Sequence, residues 1–357
     1  MKTTTLYFLI CFSCAAYGQT VRKYSNEFMS IGVDAAALGM SNAVVSHTSD
    51  VNSGYWNPAG LLQLQDKQFS LMHANYFANI AQYDYAGFAM PIDDKSAVGI
   101  SIIRFGVDDI LDTTQLIDDQ GNINYDRINL FSAVDYGFII SYARKMLTKE
   151  ISYGINTKII RRIIGDFASS WGFGLDIGLQ LKTSNNWKFG LMARDISTTY
   201  NSWSINETRL SDIQNAIEGQ NQDVPNSTEV TIPKIQLGIS KLHNINYDYR
   251  LLTSFDLIMK FEQNNNLIST EFVSINPAVG LELGYTDSVF LRLGIGNFQN
   301  ELDFDNSTNM TFQPNFGVGF KYRGIQIDYA LTNIGSVGNA LFSNIFSITI
   351  DYSFFRR

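Results

Sequence analysis

Residues 344–354 alternate without a break: Phe346, Ile348, Ile350, Tyr352 and Phe354 share one face, and Ser347, Thr349, Asp351 and Ser353 the other. Residues 171–181 do the same, with Trp171, Phe173, Leu175, Ile177, Leu179 and Leu181 opposing Gly172, Gly174, Asp176, Gly178 and Gln180. So do residues 289–295, where Val289, Leu291, Leu293 and Ile295 oppose Phe290, Arg292 and Gly294. A period of two is that of a β-strand. A full apolar stripe must then face either a second sheet or lipid.

Three features favour lipid. Several strands are long, such as those expected over 127–145 and 247–262, where about five or six residues is usual. The polar face carries Gly, Ser and Asp, not the Lys and Glu of a wet surface. Aromatics recur near strand ends (Tyr136, Tyr142, Tyr153, Tyr247, Tyr285, Tyr322, Tyr352), as girdles at a membrane interface do. Charged residues are only 17% of the chain, against roughly 25% in soluble domains.

The pattern predicts fourteen strands, near 67–79, 82–91, 96–107, 127–146, 151–164, 168–182, 187–197, 231–243, 247–262, 269–286, 288–298, 312–323, 325–333 and 344–354. Turns after even-numbered strands are short, as at Asp93-Asp94-Lys95, Thr286-Asp287 and Gly324. Most connections after odd-numbered strands are long: 108–126, 198–230, 299–311 and 334–343. That segregation by parity is expected of an all-β, transmembrane antiparallel β-barrel with both termini in the periplasm. Closure is required because an open edge in lipid leaves backbone groups unpaired, at several kcal/mol each.

Residues 1–18 read as a signal peptide: Lys2, an apolar stretch from Leu6 to Ala16, then Ala16-Tyr17-Gly18. Both cysteines, Cys11 and Cys14, fall inside it. The exported chain therefore relies on no disulfide. A net charge of −8 argues against nucleic acid as a partner.

A fourteen-stranded lumen is too wide for wall side chains alone to fill. Residues 19–66 are the candidate plug, ahead of the barrel at 67–357. Within the plug, Trp56-Asn57-Pro58-Ala59-Gly60 combines a capping Asn with Pro at the first helical position. We read it as a hinge that turns the chain before the wall begins, with Trp56, Leu61 and Leu62 wedged against the lumen.

Asp135, Asp176, Arg250, Asp256, Glu282, Arg292, Asp328 and Asp351 fall on the polar faces, with Lys158. They could form a selectivity lining, but paired charges tying wall to plug are the plainer reading, since charges inside a filled barrel must be paired or wet. Pro277 lies within a strand, where a missing N–H marks a bulge or an opening in the wall. Pro233 opens another strand. The 108–126 loop is rich in Asp but fits a calcium loop poorly at Asp118-Asp119-Gln120-Gly121. Leu210, Ile213 and Ile217 have helical spacing in the 198–230 loop. No catalytic or metal motif surrounds His47, His73 or His243, so no enzyme, cofactor or metal is expected.

Two stretches carry a resemblance. Ile31-Gly32-Val33-Asp34-Ala35-Ala36-Ala37-Leu38-Gly39-Met40, followed by Asp50-Val51-Asn52-Ser53-Gly54-Tyr55-Trp56-Asn57-Pro58-Ala59-Gly60-Leu61, resembles the start of the PorV/PorQ family. Ile325-Gln326-Ile327-Asp328-Tyr329-Ala330-Leu331-Thr332-Asn333-Ile334-Gly335-Ser336-Val337-Gly338 resembles that family's penultimate strand and last loop. These are outer-membrane barrels of the Bacteroidetes type IX secretion system. The wider fold resembles the FadL-like fatty-acid transporters, which are fourteen-stranded with an N-terminal hatch. The resemblance implies an outer-membrane location in a Bacteroidetes-like Gram-negative bacterium. It also implies a protein-binding role, docking the sorting domain of secreted cargo or a translocon partner. The alternative is a FadL-like passage that moves a hydrophobic small molecule from mouth to lumen and out past the plug. A barrel with a purely structural role is the third reading.

Overall fold

The computed structural model describes residues 25–352 except 78, 118–119, 147–149, 210, 212–226, 303–306 and 333–341. The signal peptide expected at 1–18 lies outside the described residues, as does most of the helix expected over 210–217.

The strands are β1 (Gln68–Tyr76), β2 (Ala81–Asp93), β3 (Ser96–Asp112), β4 (Asn129–Lys145), β5 (Ile151–Ile164), β6 (Ala168–Lys182), β7 (Trp187–Arg194), β8 (Thr199–Ile205), β9 (Thr228–Thr231), β10 (Lys234–Asn244), β11 (Tyr249–Lys260), β12 (Ile268–Ser269), β13 (Ser274–Tyr285), β14 (Val289–Leu302), β15 (Thr308–Tyr322), β16 (Ile325–Thr332) and β17 (Ser343–Asp351). Every pairing between them is antiparallel, and the sheet closes where β1 pairs with β17 from Gln68↔Asp351 to Asn75↔Asn344. β7 and β8 are successive halves of one wall strand, both lying along β6 (Ile177↔Ala193, Phe173↔Tyr200). β9 and β10 form another, parted at Pro233. Counted this way, with β12 as a wedge and not a wall strand, the barrel has 14 strands.

The wall is inverted relative to a soluble protein. Phe173 is 60% exposed, Leu71 56% and Phe346 55%, while Ser141, Asn156, Asp176 and Asp256 on the other face are fully buried. Only lipid makes that arrangement favourable, since about 25 cal/mol is lost for each Å² of apolar surface left in water. No described helix is long and apolar enough to cross a membrane; the chain crosses with strands.

Three expectations shift. The loop expected over 198–230 begins later, because the wall strand resumes as β8 after an irregular break at Asp195–Thr198. Asp195 and Thr198 both take positive φ there (54° and 56°). The loop expected over 299–311 shrinks, because β14 runs on to Leu302 and β15 starts at Thr308. β3 likewise continues to Asp112. In β14 and β15 these extensions carry mostly polar residues on both faces, so the apolar alternation that marks a strand is lost.

Residues 25–66 lie against the inward faces of the wall. They form a 3₁₀ turn at Glu27–Ser30, α1 (Ala35–Gly39), α2 (Ser53–Trp56) and a second 3₁₀ turn at Pro58–Gln63. Phe28, Val33, Leu38, Tyr55, Trp56 and Leu61 are all buried. The fit depends on the wall's inward glycines: a Cβ on Gly190 would lie 2.4 Å from the Val45 carbonyl oxygen. This close approach explains why the polar stripe is so poor in large side chains.

Candidate functional site: the lumen and its outer cavity

Asn57 ties the segment to the wall. Its Oδ1 accepts from the Ala59 N–H at 3.2 Å, capping the turn that Pro58 opens, and its Nδ2 donates to the carbonyls of Val45 and Leu179 at 3.0 Å. Trp56 Nε1 donates to the Val33 carbonyl at 3.0 Å. Gly60 is squeezed against the Thr48 carbonyl, 2.3 Å from where a Cβ would stand. Ala59 is fully buried beside it.

The lumen charges gather into clusters. Lys158 holds Asp176 at 2.7 Å and also pairs with Asp195. Arg162 holds Asp135 at 2.9 Å and Glu229 at 3.1 Å. Arg292 holds Glu282 at 2.5 Å and Asp328 at 2.6 Å. Asp256 accepts from the Val45 N–H at 3.1 Å and from Gln236 at 3.0 Å. Asp34 accepts from the Ser347 hydroxyl at 2.7 Å. Burial first, then the neighbouring Asp328 and Asp50, push the Asp34 carboxyl up to about 7. Asp351 pairs with Gln68, and Arg250 with Asp287 at a short turn, away from the other clusters. In the 108–126 loop, Asp108 meets Arg104 and Asp112 meets Arg209; Asp118 and Asp119 lie outside the described residues.

Pro277 sits where the wall parts. The β13–β14 ladder runs from Tyr285↔Val289 to Val279↔Ile295 and then stops. Beyond it, Ile275 and Ser274 pair with β11 on one edge and with Ile268 and Ser269 of β12 on the other. The segment around Asn266, which bridges to Gln299, is thus wedged between β13 and β14.

Behind this wedge, at the long-loop end, is a cavity of about 310 Å³. Its lining includes Pro277, Trp56, Tyr55, Arg194, Lys234 and several amide side chains. Two smaller cavities, about 180 and 240 Å³, lie toward the short-turn end around His47, Arg292 and Lys188. Trp56 borders both the outer cavity and the smaller of these two. The segment therefore interrupts the lumen between them.

Sequence reasoning passed over Arg194 and Lys234, although the period-two pattern through 187–194 puts Arg194 on the inner face. It also passed over a polar island outside. His73, Asp84 and Arg104 face outward among Leu71, Ile102 and Phe346, linked at 2.7 Å (His73–Asp84) and 3.6 Å (Asp84–Arg104). The signal was the break in the apolar stripe Phe69, Leu71, His73.

Comparison with solved structures agrees with this architecture. A toluene transporter of Pseudomonas putida, TodX, superposes with a TM-score of 0.57 at 12% identity, covering 90% of this chain and 99% of that one. A FadL homologue of Pseudomonas aeruginosa gives 0.51 at 12%, covering 90% and 98%. The toluene transporter TbuX of Ralstonia pickettii gives 0.53 at 11%, covering 90% and 98%. No protein-family model matches the chain, and no curated protein matches it. The chain is a closed antiparallel β-barrel of 14 strands, and its fold is that of the FadL-like barrels.

Proposed function

We propose that this chain is a FadL-like passage of a Gram-negative outer membrane, in which a small molecule enters at the long loops, rests in the outer cavity and leaves past the N-terminal segment. The observation that carries this reading is the sequence of cavities. The 310 Å³ space opens behind the mouth, and the 180 and 240 Å³ spaces continue toward the other end. Only residues 25–66 intervene. They act as a plug whose displacement would join the spaces. The β13–β14 parting beside Pro277 supplies a side exit for a molecule apolar enough to enter lipid.

The test is a tether. A Cβ on Gly54 would lie 3.9 Å from the Ser141 Cβ, within the range of about 3.5–4.5 Å that a disulfide needs. Gly54→Cys with Ser141→Cys should therefore lock the plug to β4. Solute flux into proteoliposomes should fall on oxidation and return on reduction. Flux that ignores the lock sinks the passage.

A second reading is docking, as the PorV/PorQ-like motifs suggest: a secreted sorting domain or a translocon component would bind at the mouth. It is favoured by the polar inward faces, which are packed on the plug without a continuous apolar path among the described residues. Affinity purification from the native membrane separates the two. Co-isolated secretion components favour docking, and a bound small molecule without a protein partner favours passage.

A further inference from the structure

Arg194, on β7, is 5% exposed, and its Nη2 has no hydrogen-bond partner. Its guanidinium lies 4.6 Å from the Tyr55 ring centroid and 5.8 Å from that of Trp56. Lys234, on β10, is directly opposite it in register. The Lys234 ammonium donates to the Ser30 hydroxyl at 2.6 Å. Among the described residues, neither cation has a carboxylate within ion-pair distance. Asp195, the nearest in sequence, is committed to Lys158. Glu27, on the cavity wall, lies 3.8 Å from Lys260. The contrast with the other inward cations is sharp, for Lys158, Arg162 and Arg292 each hold two acids.

Two adjacent cations held out of bulk water with no carboxylate in ion-pair contact are costly unless an anion joins them. Both line the 310 Å³ cavity. A planar guanidinium beside an ammonium suits a carboxylate, which can take two parallel N–H donors. The remaining lining argues against a hydrocarbon tail. Gln236, Asn276, Gln313 and Asn315 border the same space; each already makes a hydrogen bond within the protein and keeps further donor or acceptor capacity, which an alkyl chain could not use.

We propose that the outer cavity binds a small hydrophilic carboxylate, with its oxyanion on Arg194 and Lys234 and its hydroxyl or amide groups on the surrounding Asn and Gln side chains. This rests on the reading that the barrel takes a small molecule, and it sets the ligand apart from the toluene named for similar structures.

The test is calorimetric titration of the folded barrel in detergent with galacturonate and N-acetylglycine, against galactose (no carboxylate) and laurate (no hydroxyls). Galacturonate or N-acetylglycine should bind, with galactose and laurate at least about tenfold weaker. Arg194→Gln and Lys234→Gln should each weaken that binding by about tenfold or more, and Arg194→Lys should retain part of it. Heat-modifiable migration on a gel verifies that each variant is folded, and Lys234→Gln carries the test if Arg194→Gln is not. The proposal is overturned if laurate binds more tightly than both hydrophilic acids, if neither acid binds, or if binding ignores the folded variants. Binding is read without flux, so loss of flux with binding intact would count against the passage alone.

Discussion

Arg292 Nη1 donates to Asp328 Oδ1 at 2.6 Å, with both side chains buried on the inward face of the wall. Its Nε holds Glu282 on the neighbouring strand at 2.5 Å. One cation therefore neutralises two acids, Asp328 fully buried and Glu282 partly so, with Asp34 of the N-terminal segment close by.

Removing that cation strands both acids. Arg292→Met should cost about 3–5 kcal/mol, the usual penalty for orphaning a buried ion pair. Urea unfolding in detergent, followed by gel mobility, measures it. Adding Glu282→Gln and Asp328→Asn should restore part of the loss; no restoration would mean that packing and not charge is at stake.

The capping Asn57 makes a different kind of claim. Asn57→Ala removes the cap and the side-chain link from the turn to the Leu179 carbonyl, while the Val45 carbonyl keeps Gln180 as a donor, at about 1–2 kcal/mol in all. Because the barrel wall does not depend on this side chain, the plug should loosen before the wall unfolds. Limited proteolysis should cut within 25–66 while the heat-modifiable band persists.

Asp34 makes plug seating depend on pH. Its carboxyl titrates at about 7 in the folded chain, against 3.8 when unperturbed. Below about 4 it is protonated whether folded or unfolded, and its contribution is complete. As pH rises toward 7, the unfolded chain ionises readily while the folded one resists, so stability is lost. Thermal unfolding at steps from pH 4 to 8 should show that decline, and Asp34→Asn should lessen it.

The lipid-facing surface is open to a direct test. Leu175 is 39% exposed on the outer face of β6. Leu175→Arg should cost about 2–4 kcal/mol in a bilayer, the penalty for a charge near mid-membrane. Folding yield into lipid vesicles reads the effect. An equal yield for wild type and variant would place that face in water or against protein.

Much of the architecture is legible along the chain. Trp171 to Leu181 declare a strand and its two faces unaided, and the short turns at 93–95 and 286–288 declare which end they occupy. The strand extensions at 299–302 and 308–311 escape the same reading, because mostly polar residues on both faces leave no apolar stripe. The candidate site is less legible. Asp176, Asp256 and Arg292 are recognisable as inward charges, yet no pattern states that Asp256 meets the Val45 N–H or that Arg194 goes without an acid.

Sequence by itself determined the strands and their two faces, since the pleat of a strand is fixed by neighbouring residues, and the sorting of short and long connections by parity pointed to a closed wall. Tertiary structure alone decided where that wall parts at Val279 and Ile295, and that Arg194 stands beside Lys234. Such contacts join residues far apart in the chain, so they depend on register and on what fills the lumen.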